Sequence, residues 1–154
     1  MSGRALTADE VALSQGVFGD AIAYSRVRIF NRKWWPFQPG KTTMAPDGNL
    51  WFAPKSKLFC NDFCAADLSL QGLFIHEMTH VWQHQSGVFL PLARHPFCRY
   101  AYDYIPGKPF ARYGIEQQAE IVRHYFVLKH GRAVAGKPDL AAYRALVPFT
   151  TPRA

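Results

Sequence analysis

The string His76-Glu77-Met78-Thr79-His80 sets two imidazoles four residues apart. At 3.6 residues per helical turn, such residues stand one above the other, so both rings can reach a single ion on one face. Glu77 falls to the side of that pair, where its carboxylate can contact a water beside the ion instead of the ion itself. The chemistry this allows is hydrolysis, with a metal acidifying water and a carboxylate taking its proton. A catalytic zinc site normally takes three protein ligands and leaves one position for water, so a third ligand has to come from outside this string. The competing reading is a pair of packed, hydrogen-bonded core histidines.

Other polar residues fit the chemistry less directly. His84 continues the series, but eight residues of helix rise about 12 Å, too far for His76 and His84 to share an ion. A groove or surface position is expected for it. Stabilisation of a transition-state oxyanion could come from Tyr113 or His124, and also from His95, Tyr102 or Tyr104. No spacing rule selects among these, and each competes with a plain core or surface role.

The element carrying the histidines should begin after Asp67 and Ser69 and end near Gly87, with Leu70, Leu73, Phe74, Val81 and Trp82 as its bulky apolar positions. A second helix is expected over 114–130, from the periodicity of Ile115, Ala119, Val122 and Phe126, with Gly131 as its cap. Upstream, Thr7 followed three residues later by Glu10 is a capping-box signature for a helix from Ala8 to Phe18. A last helix should start around Pro138, with Asp139 in its first turn, and run to about Leu146. Between 24 and 30 the residues alternate as in a half-buried strand. Residues 42–45 and 50–53 flank Pro46-Asp47-Gly48-Asn49, a sequence suited to a hairpin turn. The stretch 31–40, rich in aromatics and proline, reads as a loop that either packs on the body or lines a groove. Residues 88–108 read as a long crossover with little regular structure.

The whole is expected to be one α+β domain over 1–154. At 154 residues the chain can bury a real core without a metal or disulfide to hold it together. There are 18 Lys and Arg against 11 Asp and Glu, a formal +7. That charge could draw the protein to acidic surfaces, but no run of five or six like charges occurs and the cations read as scattered. Nucleic acid is therefore not the expected partner. Cys60, Cys64 and Cys98 leave at least one thiol unpaired; Cys60 and Cys64 could share a helical face, most simply as buried free thiols. The amino-terminal residues lack a signal-peptide core, and no apolar stretch is long enough to span a bilayer. The cytoplasm is the default location, although an export route that reads folded protein would leave no such mark.

The His-Glu-x-x-His spacing is the signature of the zincin metallopeptidases. The zincin form with a third histidine requires a glycine at 83 and a histidine at 86, where this chain has Gln83 and Ser86. The other form takes a glutamate from a later helix in an ExxAD-like string, and Glu116-Gln117-Gln118-Ala119-Glu120 resembles it, with Glu in place of the final Asp. The chain thus resembles a minimal gluzincin. The resemblance implies a short, mostly antiparallel sheet packed on the histidine helix and on a second, glutamate-bearing helix. It also implies Zn2+ held by His76, His80 and Glu116, with Glu77 as general base. Glu120 would accept a hydrogen bond from the outward nitrogen of His76. Leu50 to Ala53 is the candidate edge strand for an extended peptide substrate.

Longer strings, FIHEMTHVWQHQSG with VFGDAIAYSRVRI, MAPDGNLWF and IEQQAEIVRHYF, resemble bacterial proteins related to the Vgr spike of type VI secretion. That resemblance implies a secretion-apparatus component or an immunity protein as partner. Three functions compete at this point. One is a zinc endopeptidase acting on a peptide or protein. The second is a zinc-holding accessory or effector-associated module of a secretion system with little turnover, and the third a basic nucleic-acid-binding protein with structural zinc. Retention of Glu77 favours the first, and the short chain favours the second.

Overall fold

A computed structural model describes residues 3–40, 42–88, 90 and 100–149 of the chain. The first element, β1 (Arg4–Ala5), leads into α1 (Ala8–Phe18). The capping box forms as its residues require: Glu10 N donates to Thr7 Oγ1 at 3.0 Å, and Thr7 N donates to Glu10 Oε2 at 2.9 Å. The Glu10 carboxylate also accepts from the Arg4 guanidinium and, at 2.9 Å, from Phe63 N. One buried side chain therefore ties the first strand, the first helix and the segment before the histidine helix together.

The remaining strands are β2 (Arg28–Phe30), β3 (Thr43–Met44) and β4 (Leu50–Phe52), in the order β1-β2-β4-β3. The outer pairings are antiparallel, and β2 and β4 run parallel, so the sheet is mixed. The expected hairpin is present, with Thr43 opposite Phe52 and Met44 opposite Trp51. Its turn is fixed by Asp47, whose Oδ1 accepts from Asn49 N and from Trp51 Nε1, and by Gly48 at φ +85°.

Two expectations about the sheet are corrected. The strand expected over 24–30 is shorter, because Tyr24–Arg26 coil into a 3-10 turn and only Arg28–Phe30 pair. The Tyr24 hydroxyl, donating to Gly19 O at 2.7 Å, anchors that turn to the end of α1. The stretch from Leu50 to Ala53 is not an edge: β4 lies between β2 and β3, and all three of its residues are buried. The edge next to the hairpin is β3.

Helix α2 (Leu68–Gln85) starts at Asp67, whose Oδ1 accepts from Leu70 N at 2.9 Å. Helix α3 (Ile115–Lys129) follows Gly114 and is closed by Gly131 at φ +84°. Helix α4 (Leu140–Leu146) is capped by Asp139, which sits just outside the first turn. A stack of rings joins sheet to helix: Phe52 on Phe63 at 5.3 Å between centroids, and Phe63 on Phe74 at 5.1 Å. Helices α2 and α3 pack directly on each other. A Cβ at Gly72 would meet Arg123 Nε at 3.3 Å and Val127 Cγ1 at 3.5 Å, so glycine permits this close approach.

Cys60 and Cys64 do not share a helical face. Cys60 lies in irregular chain and Cys64 in a single 3-10 turn, Phe63–Ala65, and both are free, partly buried thiols. Cys98, His95 and the rest of 91–99, with residue 89, lie outside the described residues; over 100–108 the expected crossover carries no helix or strand. No helix among the described residues is long and apolar enough to cross a membrane.

Candidate metal centre

Helix α2 presents His76 and His80 on one face, with ring centroids 5.0 Å apart. The first turn of α3 brings Glu116 against them. Its Oε1 lies 2.5 Å from His80 Nε2 and 3.8 Å from His76 Nε2, and all three side chains are buried. One ligand atom from each residue falls within a common 4.8 Å, and this is the one such grouping among the described residues. Atoms sharing a four-coordinate zinc sit about 3.4 Å apart, so a small adjustment of side chains closes the set around an ion.

The outward ring nitrogens decide which way the inner ones face. His76 Nδ1 is 2.8 Å from Glu120 Oε2, and His80 Nδ1 is 2.8 Å from Gln83 Oε1. Donation from Nδ1 to these oxygens leaves both Nε2 atoms with lone pairs aimed into the cluster, the tautomer that binds metal. His80 Nε2 is buried and has no hydrogen-bond partner among the described residues; the short approach of Glu116 Oε1 falls outside hydrogen-bond geometry. Two imidazoles and a carboxylate suit a borderline divalent cation such as zinc. The residues present therefore fit a metal ion.

Charge in the cluster is balanced unevenly. Burial pushes the His76 pKa down, but its hydrogen bond to Glu120 and the carboxylates of Glu77, Glu120 and Glu116 outweigh it, leaving the pKa above the usual imidazole value. Burial likewise works against the Glu120 carboxylate. The His76 bond, with the charges of His76, Arg123 and His124, nevertheless holds its pKa below the usual range.

Glu77 is buried at the wall of a cleft of about 220 Å³, whose lining includes His76, Thr43, Tyr100, Glu120 and Arg123. Its Oε2 has no hydrogen-bond partner among the described residues. Thr43 of the edge strand β3 and Thr42 just before it also line the cleft, and the Tyr100 ring stacks on His76 at 5.8 Å between centroids.

The two expected oxyanion donors sit in a tyrosine cluster and do not line this cleft. Tyr113 Oη accepts from Ile105 N at 3.2 Å, and His124 Nδ1 is 2.6 Å from Tyr102 Oη, which also meets Tyr143 Oη at 2.6 Å. His84 is apart from the cluster and packs on the hairpin turn, where a Cβ on Gly48 would come within 2.8 Å of its ring. Gln83, Arg123 and Tyr100 escaped sequence reasoning. For Gln83 a signal existed: it follows His80 by three residues and shares its helical face.

No family model matches the chain. The type VI secretion system spike protein VgrG2b of Pseudomonas aeruginosa is 45% identical over 137 residues, which cover 84% of this chain and 13% of that protein. The chain thus spans a small fraction of this curated relative's length. Among solved structures, the effector domain of Pseudomonas aeruginosa VgrG2b is similar with a TM-score of 0.80 and 40% identity, over 93% of this chain and 80% of that one.

The kinship expected with Vgr-related bacterial proteins is borne out. Membership of the gluzincins is corrected: both relatives are VgrG2b, so the chain is placed by them and not by its His-Glu-x-x-His string. What stands is an α+β fold whose packed helices carry a His76, His80 and Glu116 cluster able to hold a metal ion. By its similarity to most of a solved domain at 40% identity, the chain belongs to the family of the VgrG2b effector domain.

Proposed function

We propose that this protein is a secreted effector domain that holds zinc through His76, His80 and Glu116 and hydrolyses peptide bonds in a protein target. Its place beside a type VI secretion system follows the relatives' names, and with it come export without a signal peptide and an immunity protein or apparatus component as partner. Those names speak to a secretion-associated module more directly than to a reaction. A zinc-holding module with little turnover is therefore the second reading.

The observation that carries hydrolysis is Glu77. Neither folding nor metal binding requires a buried carboxylate with an unpartnered Oε2 on the wall of the cleft beside His76. When bound, zinc supplies a Lewis acid that acidifies water and polarises a carbonyl. Glu77 Oε2 then accepts a proton and returns it to the leaving nitrogen. Glu120 and Gln83 hold His76 and His80 in the tautomer that ligates.

Tyr113 and His124 remain the oxyanion donors in this proposal; neither lines the cleft beside Glu77, so the reading requires a bound peptide to bring its carbonyl to the tyrosine cluster. The Ile105 amide occupies a lone pair on Tyr113 Oη and leaves the hydroxyl hydrogen for a second partner. His124 has Nδ1 engaged by Tyr102, so it would serve from Nε2.

Glu77→Gln separates the two readings. The variant is expected to keep near-stoichiometric zinc while losing cleavage of an unfolded protein substrate, by about 10²-fold or more. Equal cleavage by wild type and variant would remove Glu77 as base and leave the module reading.

A further inference from the structure

The positive charge of this protein is concentrated, although no run of like charges announces it. Residues 21–61 contain seven of the 18 Lys and Arg residues and one of the 11 Asp and Glu residues, a balance of +6 within a chain total of +7. That single carboxylate, Asp47, is engaged by Trp51 Nε1 and Asn49 N. Inside this basic stretch lies the loop 31–40, which has no acidic residue and exposes three aromatics: Trp34 at 38%, Trp35 at 45% and Phe37 at 78%.

The exposure is built in. Gln38 is buried beneath the loop and pins it from both sides: its Oε1 accepts from Trp34 N at 2.7 Å, and its Nε2 donates to Thr42 O at 2.9 Å. Gln38 N donates to Trp35 O, and Thr42 closes the far end on Pro39 O. Trp35 and Phe37 meet edge to face at 5.4 Å, forming one apolar tip. Arg32 and Lys33 are exposed at its base, and the Lys55 stem runs beside Gly40. An apolar tip of this kind is rare on a free soluble surface unless something covers it. Trp and Phe flanked by Lys and Arg match the boundary between lipid headgroups and acyl chains. There indoles are favoured, and each basic residue adds attraction to anionic lipid.

We propose that the loop 31–40 docks the protein on an anionic phospholipid surface, with Trp34, Trp35 and Phe37 entering the interface and Arg32, Lys33 and Lys55 meeting lipid phosphates. Shortly after the loop in sequence come Thr42 and Thr43, which line the cleft beside His76 and Glu77. Docking by this tip holds that cleft at a set height over the membrane. Charge alone would also suit nucleic acid, but the tip is apolar and internally pinned, which suits insertion between headgroups better than stacking on splayed bases.

The test is sedimentation of the intact protein with vesicles of phosphatidylethanolamine and phosphatidylglycerol, against neutral phosphatidylcholine vesicles and against duplex DNA. Wild type is expected to bind the anionic vesicles, to release as salt rises from about 0.05 to 0.5 M, and to ignore the neutral ones. Trp35→Ser with Phe37→Ser should weaken binding about tenfold or more, as should Lys33→Glu with Lys55→Glu, both with unchanged circular dichroism and zinc content. The second pair keeps the aromatics and guards against a misfolded first. Failure of wild type to bind anionic vesicles, undiminished binding by both variants, or retention on DNA alone would each overturn the proposal.

Discussion

His80 Nδ1 and Gln83 Oε1 lie 2.8 Å apart on one turn of α2, and the direction of that bond is set from outside the helix. Gln83 Nε2 donates to Ile115 O and to Gln118 Oε1, and Gln118 Nε2 donates to Tyr113 O. Backbone carbonyls only accept, so each amide has one allowed orientation. The relay ends with His80 obliged to donate from Nδ1 and to offer Nε2 to the cluster.

Gln83→Ala breaks that relay at its midpoint. Zinc affinity, measured by competition with a chromophoric chelator, should fall about 10–100-fold, the usual cost of losing an outer partner of a ligating histidine. Gln118→Leu should weaken zinc less, since Ile115 O still orients Gln83. Unchanged affinity in Gln83→Ala would mean that packing alone holds the His80 ring.

The two glutamates of α3 should separate by degree. Glu116→Ala removes a proposed ligand and should abolish stoichiometric zinc, whereas Glu120→Ala leaves the ligands in place and should cost about 10–100-fold in affinity. Glu120→Gln keeps an acceptor for His76 Nδ1 and should fall between Glu120→Ala and wild type. Zinc content after dialysis is the measurement, and full occupancy in Glu116→Ala would show that the third ligand lies elsewhere.

Much of this arrangement can be read from residue order, because its determinants are local. Thr7 with Glu10, Asp67 and Gly131 each mark a helix end through their own backbone bonds, and the four-residue histidine spacing needs only a helix to become a pair. Glu116 and Glu120 are recognisable one turn apart for the same reason. The order of the sheet is not local. The parallel pairing of β2 with β4 joins residues some twenty positions apart, and it turns the expected edge into an interior strand. Leu50-Trp51-Phe52 did carry a hint, since a continuous apolar run suits a strand covered on both faces. The pinned aromatic loop depends on a buried glutamine, a residue type that carries no pattern of its own.

Acid should strip the metal earlier than ordinary imidazole chemistry would. In the metal-free protein the surrounding carboxylates raise the His76 pKa, and a proton must leave His76 before it can ligate. The sign is therefore competition by protons that begins above the usual imidazole value of about 6.5 and grows as pH falls. Zinc affinity followed from pH 8 down to pH 5 should begin to drop above that value. Glu120→Gln removes one of the charges responsible and should move the onset to lower pH. An onset that stays put in the variant would assign the effect to other groups.

Stability should depend more on Glu10 than on its capping partner, although the two residues share one motif. Thr7→Ala removes one cap acceptor and a long hydroxyl bond to Asp62 Oδ1 at 3.3 Å, and should cost about 0.5–2 kcal/mol. Glu10→Ala removes the acceptor for Arg4, Thr7 N and Phe63 N together, in a fully buried position, and leaves a partly buried guanidinium with backbone carbonyls but no counter-charge. The expected cost is about 3–5 kcal/mol, or a fall of roughly 10 °C in Tm for a chain of this size. Phe63 stacks on Phe74 in the second turn of α2, so loosening at Glu10 should also lower zinc affinity in thermally stressed protein. Equal losses in the two variants would mean that Glu10 serves only the helix end and that the link from β1 to the metal helix runs through apolar packing alone.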